Sequence, residues 1–161
     1  MLMAIPAWLQ AQEMNRKIID PSLNEEILID YCTRAGLKEG AFGEMYKMYY
    51  PIYKPDREVI SKLKQRKSGL DVIIVLGTWC SDSQEQVPKF LKVWDKVYFL
   101  GSQVTIIAVN KEKKGDRVDV SRYDIQRVPT FIFTRKGKEI GRIIETPTMS
   151  LERDMLMIVG E

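Results

Sequence analysis

The chain has 161 residues, 45% of them apolar, which is enough to bury one good core with an extension but cramped for two full domains. Its 25 basic and 22 acidic residues leave a formal charge of +3 and are interspersed along the whole length, so nucleic acid is not implied. The absence of histidine excludes Ser-His-Asp and Cys-His catalysis, and two cysteines are too few for a zinc site built on four. There is no Walker loop, no Gly-x-Gly-x-x-Gly after a strand and no internal repeat, so no metal or nucleotide cofactor is expected.

The first residues, "MLMAIPAWLQAQE", have two readings. One is the remnant of a secretory signal ending in "LQA", which would place the protein in the periplasm or cell envelope. The other is an ordinary amphipathic first helix, which would leave it in the cytoplasm. Against the signal stand the lack of a Lys or Arg before the apolar part and the bulk of Leu9 three residues before a cleavage point. No segment approaches the roughly 20 apolar residues needed to span a bilayer, so no integral membrane segment is expected.

Next, "EEILID" at 25–30 reads as a short strand, and "EGAFGEMYKMYYPIY" and "DREVISKLKQR" read as helices separated by Pro51 and Pro55. Phe42, Tyr46, Tyr49, Tyr50 and Tyr53 form a stripe at helical spacing. Packing onto the rest of the chain is one reading of it, and a peptide-contact surface is the other. Residues 1–68 are thus read as a mostly helical extension packed on the domain formed by 69–161.

From residue 69 the pattern runs strand, helix, strand, helix, hairpin, helix. "DVIIVL" at 71–76 and "QVTIIAVN" at 103–110 suit strands buried on both faces, a parallel pair that should close right-handed. Between them "SQEQVPKFLKVWDKV" repeats Val87, Phe90, Leu91 and Trp94 on one helical side, with a kink expected at Pro88. The basic run "KEKKGDR" at 111–117 reads as a solvated turn. "VPTFIFTRKGKEIGRIIE" gives two strands turning at Lys136 and Gly137, and Ser150 can cap a last helix over that hairpin.

At the first strand-helix junction stands "WCSDS", residues 79–83. A cysteine in the first turn of a helix meets unsatisfied N–H groups and the positive dipole end, which favour thiolate, so Cys80 is expected to be nucleophilic.

With "WC" at that junction, Pro88 eight residues after Cys80, and "RVPTFIFTRKGKEIGR" following, residues 69–161 resemble the thioredoxin superfamily. The resemblance implies an α/β thioredoxin-like fold with a mixed parallel and antiparallel central sheet flanked by helices. The N-terminal part looks like extensions of thioredoxin-like proteins common in the Bacteroidetes, a bacterial lineage. The resemblance also implies that Pro129 is cis and that the backbone of Val128, Pro129 and Thr130 pairs with an extended substrate beside Cys80. Trp79 would then shield one side of the sulfur. The expected chemistry is thiol-disulfide exchange through a mixed disulfide at Cys80. Protein or peptide disulfides and thiols are the expected substrates, and an external thiol is a possible reductant.

The departures from the family pattern define the site further. Ser83 replaces the second cysteine, so the motif is monothiol and cannot close its own disulfide. Ser83 could donate a hydrogen bond toward the thiolate, while Asp82, beside Ser81, brings an opposing charge. Ile74 and Gln86 stand where family members place proton-transferring acids. Cys32, 48 residues before Cys80, is either a resolving thiol or a partly buried free thiol. The alternatives to an oxidoreductase or isomerase are a non-catalytic peptide-binding or chaperone-like module and a glutaredoxin-like cluster carrier. "CSDS" lacks the Gly-Phe pair of the last.

Overall fold

In a computed structural model, residues 14–98 and 104–160 are described. The readings of "MLMAIPAWLQAQE" lie outside them. The strands are β1 (Arg16–Asp20), β2 (Glu25–Cys32), β3 (Leu70–Leu76), β4 (Val104–Ala108), β5 (Thr130–Arg135) and β6 (Lys138–Ile144). The helices are α1 (Arg34–Leu37), α2 (Gly40–Ile52), α3 (Arg57–Arg66), α4 (Ser81–Val97) and α5 (Leu151–Val159). One six-stranded sheet orders the strands β1-β2-β4-β3-β5-β6, in which β3 and β4 are parallel and every other pair is antiparallel.

The central strands carry the apolar runs because both their faces are covered. Val72, Ile74 and Leu76 point to the helical side, into a core with Phe90, Trp94, Phe131 and Phe133, all fully buried. Phe90 joins these layers, its ring centroid 4.4 Å from that of Phe131 and 5.9 Å from that of Trp94. Val75 and Ile107 point the other way, into a smaller cluster with Val109, Val120 and Val128. The β5–β6 turn places both Lys136 and Gly137 at positive φ, the primed geometry that matches strand twist. Ser150 caps α5, accepting from the Arg153 N–H, and α5 lies so close over β6 that a Cβ on Gly141 would meet Ile158 at 2.8 Å.

Two expectations are corrected here. The helix expected between β4 and β5 is a three-residue 3-10 turn, Ser121–Tyr123, none of whose residues is buried, while Val118, Val120 and Ile125 on either side of it pack on the smaller core. The proline expected to separate two helices, Pro51, lies inside α2, whose last turn it occupies; Pro88 likewise lies within α4. The aromatic stripe takes its packing role. Phe42 and Tyr46 are buried, the Tyr50 hydroxyl donates to Asp95, and the Tyr53 hydroxyl donates to Glu152.

The N-terminal segment also extends the sheet itself, since Asp30, Tyr31 and Cys32 of β2 pair with Ala108, Ile107 and Ile106 of β4. Its hairpin then captures the basic loop after β4. The buried Asp30 carboxylate accepts the consecutive N–H groups of Asp116, Arg117 and Val118 at 2.9 to 3.1 Å and pairs with Arg16 at 2.7 Å. Asp20 accepts the Lys111 N–H at 2.9 Å together with the Ser22 hydroxyl and N–H. The "KEKKGDR" run is therefore strapped down through its backbone while its side chains meet solvent.

Two outcomes follow from these straps. Asp30→Ala takes the acceptor from three part-buried N–H groups and leaves Arg16 with Asp116 alone, and should lower the unfolding free energy by roughly 2–4 kcal/mol in urea titration, with Asp30→Asn costing less. The Ser22 hydroxyl, and then the Lys111 N–H, hold the Asp20 carboxyl below its ordinary range. The stability from that shift is present above the usual carboxylate pKa of about 3.9 and lost as pH falls through the lower folded value. The unfolding midpoint of the parent should therefore exceed that of Asp20→Asn at neutral pH, and the gap should close in acid.

Candidate active site

β3 ends at Leu76, and the chain turns sharply through 77–80 before α4 begins. Cys80 is the N-cap of α4; its N–H donates to the Gly77 carbonyl at 3.0 Å and its carbonyl accepts from Gln84 N–H at 2.9 Å. Residue 77 must be glycine because a Cβ there would lie 2.5 Å from the Trp79 ring. The Trp79 indole N–H donates to the Val109 carbonyl at 2.9 Å, and the Lys111 ammonium sits 4.5 Å from the ring centroid. Trp79 therefore packs as a wall between the turn and the strapped loop. Two further bonds fix the turn, from the Gln84 side-chain amide to the Thr78 carbonyl at 2.9 Å and from the Leu28 N–H of β2 to the Thr78 hydroxyl at 3.2 Å.

Opposite the sulfur lies the entry to β5. The Val128–Pro129 peptide is cis, and the Cys80 thiol donates to the Val128 carbonyl at an Sγ···O distance of 3.4 Å. The Val128 side chain is buried, so that residue offers a partner only its backbone. Thr130 is buried as well, its hydroxyl donating to the Arg127 carbonyl at 2.7 Å. The Pro129 carbonyl accepts from the Glu145 N–H at 2.7 Å. The Cys80 sulfur and the Val128 carbonyl, next to the cis Val128–Pro129 peptide, are thus in contact.

The other motif residues take different places. Ser81 is exposed on the first turn of α4. Ser83 is fully buried, and its hydroxyl oxygen accepts from the Gly77 N–H at 3.2 Å, so it pins the start of the turn rather than the sulfur. Ile74 lies in the apolar core and Gln86 is buried. Cys32 is a free thiol packed in the helical-side core, and burial pushes it up to about 12.

Sequence reasoning singled out Asp82 but missed Glu145, the carboxyl that faces it. Burial, and then the negative charge of Glu145, hold Asp82 above the ordinary carboxylate range. Glu145 in turn pairs with Arg127 at 2.9 Å. Glu145 lies 65 positions beyond Cys80 and carries no motif; its positive φ of 64° is a property of the fold that no residue type there announces. No group of residues suited to hold a metal occurs among the described residues, and no described helix is long and apolar enough to cross a membrane.

The family model described as Thioredoxin matches residues 56–156, so the match begins at α3 rather than at β3. A thioredoxin-like protein of Acanthamoeba polyphaga mimivirus is 27% identical over 94 residues, covering 58% of this chain and 66% of that one. A TPR repeat-containing thioredoxin of Arabidopsis thaliana is 27% identical over 96 residues, covering 60% of this chain and 24% of that one. The chain thus spans less than two thirds of the length of either curated relative. Among solved structures, a protein of unknown function from Pseudomonas aeruginosa superposes with a TM-score of 0.51 at 13% identity, covering 74% of this chain and 80% of that one. That likeness concerns the fold alone. With the family model spanning four of the six strands and the helix that Cys80 caps, the chain belongs to the thioredoxin family.

Proposed function

We propose that the protein exchanges thiols and disulfides through Cys80 as a monothiol catalyst. The observation that carries this reading is the Cys80 sulfur at the N-cap of α4, 3.4 Å from the Val128 carbonyl, with buried Ser83 at the second motif position. The Cys80 thiolate attacks one sulfur of a substrate disulfide. That S–S bond breaks, a mixed disulfide with Cys80 forms, and the leaving thiolate takes a proton from solvent. An extended peptide laid along Val128 would bring its sulfur to this point, its backbone taking the carbonyl that Cys80 now contacts.

Release then depends on a sulfur from outside the chain. If another thiolate of the substrate attacks the mixed disulfide, Cys80 leaves as thiolate and the substrate disulfide is moved without net oxidation or reduction. If a free small thiol attacks first and a second one follows, the substrate is reduced and the two small thiols are joined as a disulfide. The isomerase route suits a single sulfur best, because it consumes no reductant. One observation favours the alternative, a peptide-binding or chaperone-like module. Cys32 is buried and Ser83 stands in place of a thiol, so no second sulfur of this chain lines the groove.

Native protein treated with iodoacetamide near neutral pH should gain one adduct, at Cys80, by peptide mass spectrometry. Cys32 should react only after unfolding, since with its thiol pushed up to about 12 roughly one molecule in ten thousand carries its thiolate at pH 8. Mixed disulfides trapped from a lysate, and the refolding of a scrambled disulfide protein in a thiol buffer, should both vanish in Cys80→Ser. A parent that traps partners without accelerating reshuffling would place the protein with the binding modules. Ser83→Cys should form an internal disulfide with Cys80 and speed reduction of a model disulfide; the absence of both would show that the turn does not bring the two positions together.

A further inference from the structure

The charges of α3 and α4 are distributed unevenly. Away from their mutual cleft, cations meet acids at helical spacing, Lys62 with Glu58 at 3.5 Å in α3 and Lys89 with Glu85 in α4. Where the two helices face each other beneath the 53–56 link, that pattern stops. Lys54 from the link, Arg57 and Lys64 from α3, and Lys92 and Lys96 from α4 line one cleft of about 540 Å3, and among the described residues no carboxylate lines it. Among the described residues, the side chains of Lys54, Arg57 and Lys96 take part in no hydrogen bond or ion pair. Lys92 is held over the Tyr50 ring, 4.7 Å from its centroid.

Helix dipoles account for part of this arrangement. Lys64 and Lys96 sit in the last turns of α3 and α4, where a cation is favoured. Arg57 opens α3, at the end where a cation is disfavoured, and Lys54 and Lys92 have no dipole partner. The buried Glu152 does not line the cleft; its carboxylate is engaged by the Tyr53 hydroxyl at 2.7 Å and the Asp56 N–H at 3.1 Å. A concave surface on which, among the described residues, the side chains of Lys54, Arg57 and Lys96 have no paired acid is costly to leave empty and favourable to fill with concentrated negative charge.

We propose that this cleft binds a multiply charged phosphate group, with Lys54, Arg57 and Lys96 as its principal contacts and Tyr53 and Ile60 as an apolar wall for whatever bears the phosphate. The site is separate from Cys80. Lys92 and Lys96 lie 12 and 16 residues along α4 from the cysteine, about 18 and 24 Å at a rise of about 1.5 Å per residue. The inference therefore stands or falls independently of thiol exchange.

Inorganic tripolyphosphate titrated into the full chain by calorimetry, at about 0.1 M salt where the Debye length is about 10 Å, tests the site directly. Vesicles with and without an anionic phospholipid, assayed by co-sedimentation, form the second arm. The triple variant Lys54→Gln/Arg57→Gln/Lys96→Gln should weaken binding by at least about tenfold, while Lys113→Gln/Lys114→Gln in the exposed loop should leave it within about twofold. Cys32 should stay protected from alkylation in all three proteins, which reports that each is folded. Binding of tripolyphosphate assigns a soluble phosphate ligand, and binding only to anionic vesicles assigns a lipid headgroup. Absence of both, or an equal loss in the loop variant, overturns the proposal.

Discussion

The arrangement around the cysteine depends on one carboxylate. Asp30 lies buried in β2, yet its oxygens receive three consecutive N–H groups from a loop on the far side of the sheet edge, as well as the Arg16 guanidinium. A buried charge is tolerable when several donors replace its lost water, and such donors are fixed in direction by the carboxylate they serve. Holding 116–118 to Asp30 and Lys111 to Asp20 sets the course of the chain after β4. That course puts the Val109 carbonyl under the Trp79 indole and the Lys111 ammonium over its face. The N-terminal hairpin is in this sense part of the wall of the groove.

Much of the C-terminal half was legible because its signals are local. Apolar runs marked β3 and β4, helical spacing of Val87, Phe90, Leu91 and Trp94 marked α4, and Lys136-Gly137 marked the last hairpin. The site was legible to the same degree, since Cys80 and Pro129 fall at strand ends that a recognisable order of elements brings together. The rest is written in contacts distant along the chain. β1 has five residues with polar ends and declares itself only through its pairing with β2. The loop after β4 looked like a solvated charge run because its side chains are solvated; its backbone is what the fold uses. Glu145 and Arg127 meet Asp82 at the rim through geometry alone.

Ser83 shows how a site can keep its shape while changing its chemistry. A hydroxyl at this buried position accepts from the Gly77 N–H and so supports the turn that presents Cys80. It offers no second sulfur. Cys32, the other cysteine, is occupied with filling the core between β2 and the helices. Under the exchange chemistry proposed above, release of a mixed disulfide would be tied to thiols from outside the chain, and its lifetime would be set by them rather than by the protein.

The straps also bear on the order in which the molecule assembles. Asp30 and the N–H groups it receives are separated by 86 to 88 residues, so during synthesis the hairpin leaves the ribosome long before its loop exists. Until then Asp30 and Asp20 must stay hydrated, and the sheet edge they flank has no β4 to pair with. Closing so long a stretch costs chain entropy that only the completed β3–β4 pair can offset. The first strands to be made are thus among the last to be fixed. A nascent chain interrupted before residue 118 would carry the cysteine and its helix with an unsupported tryptophan beside them.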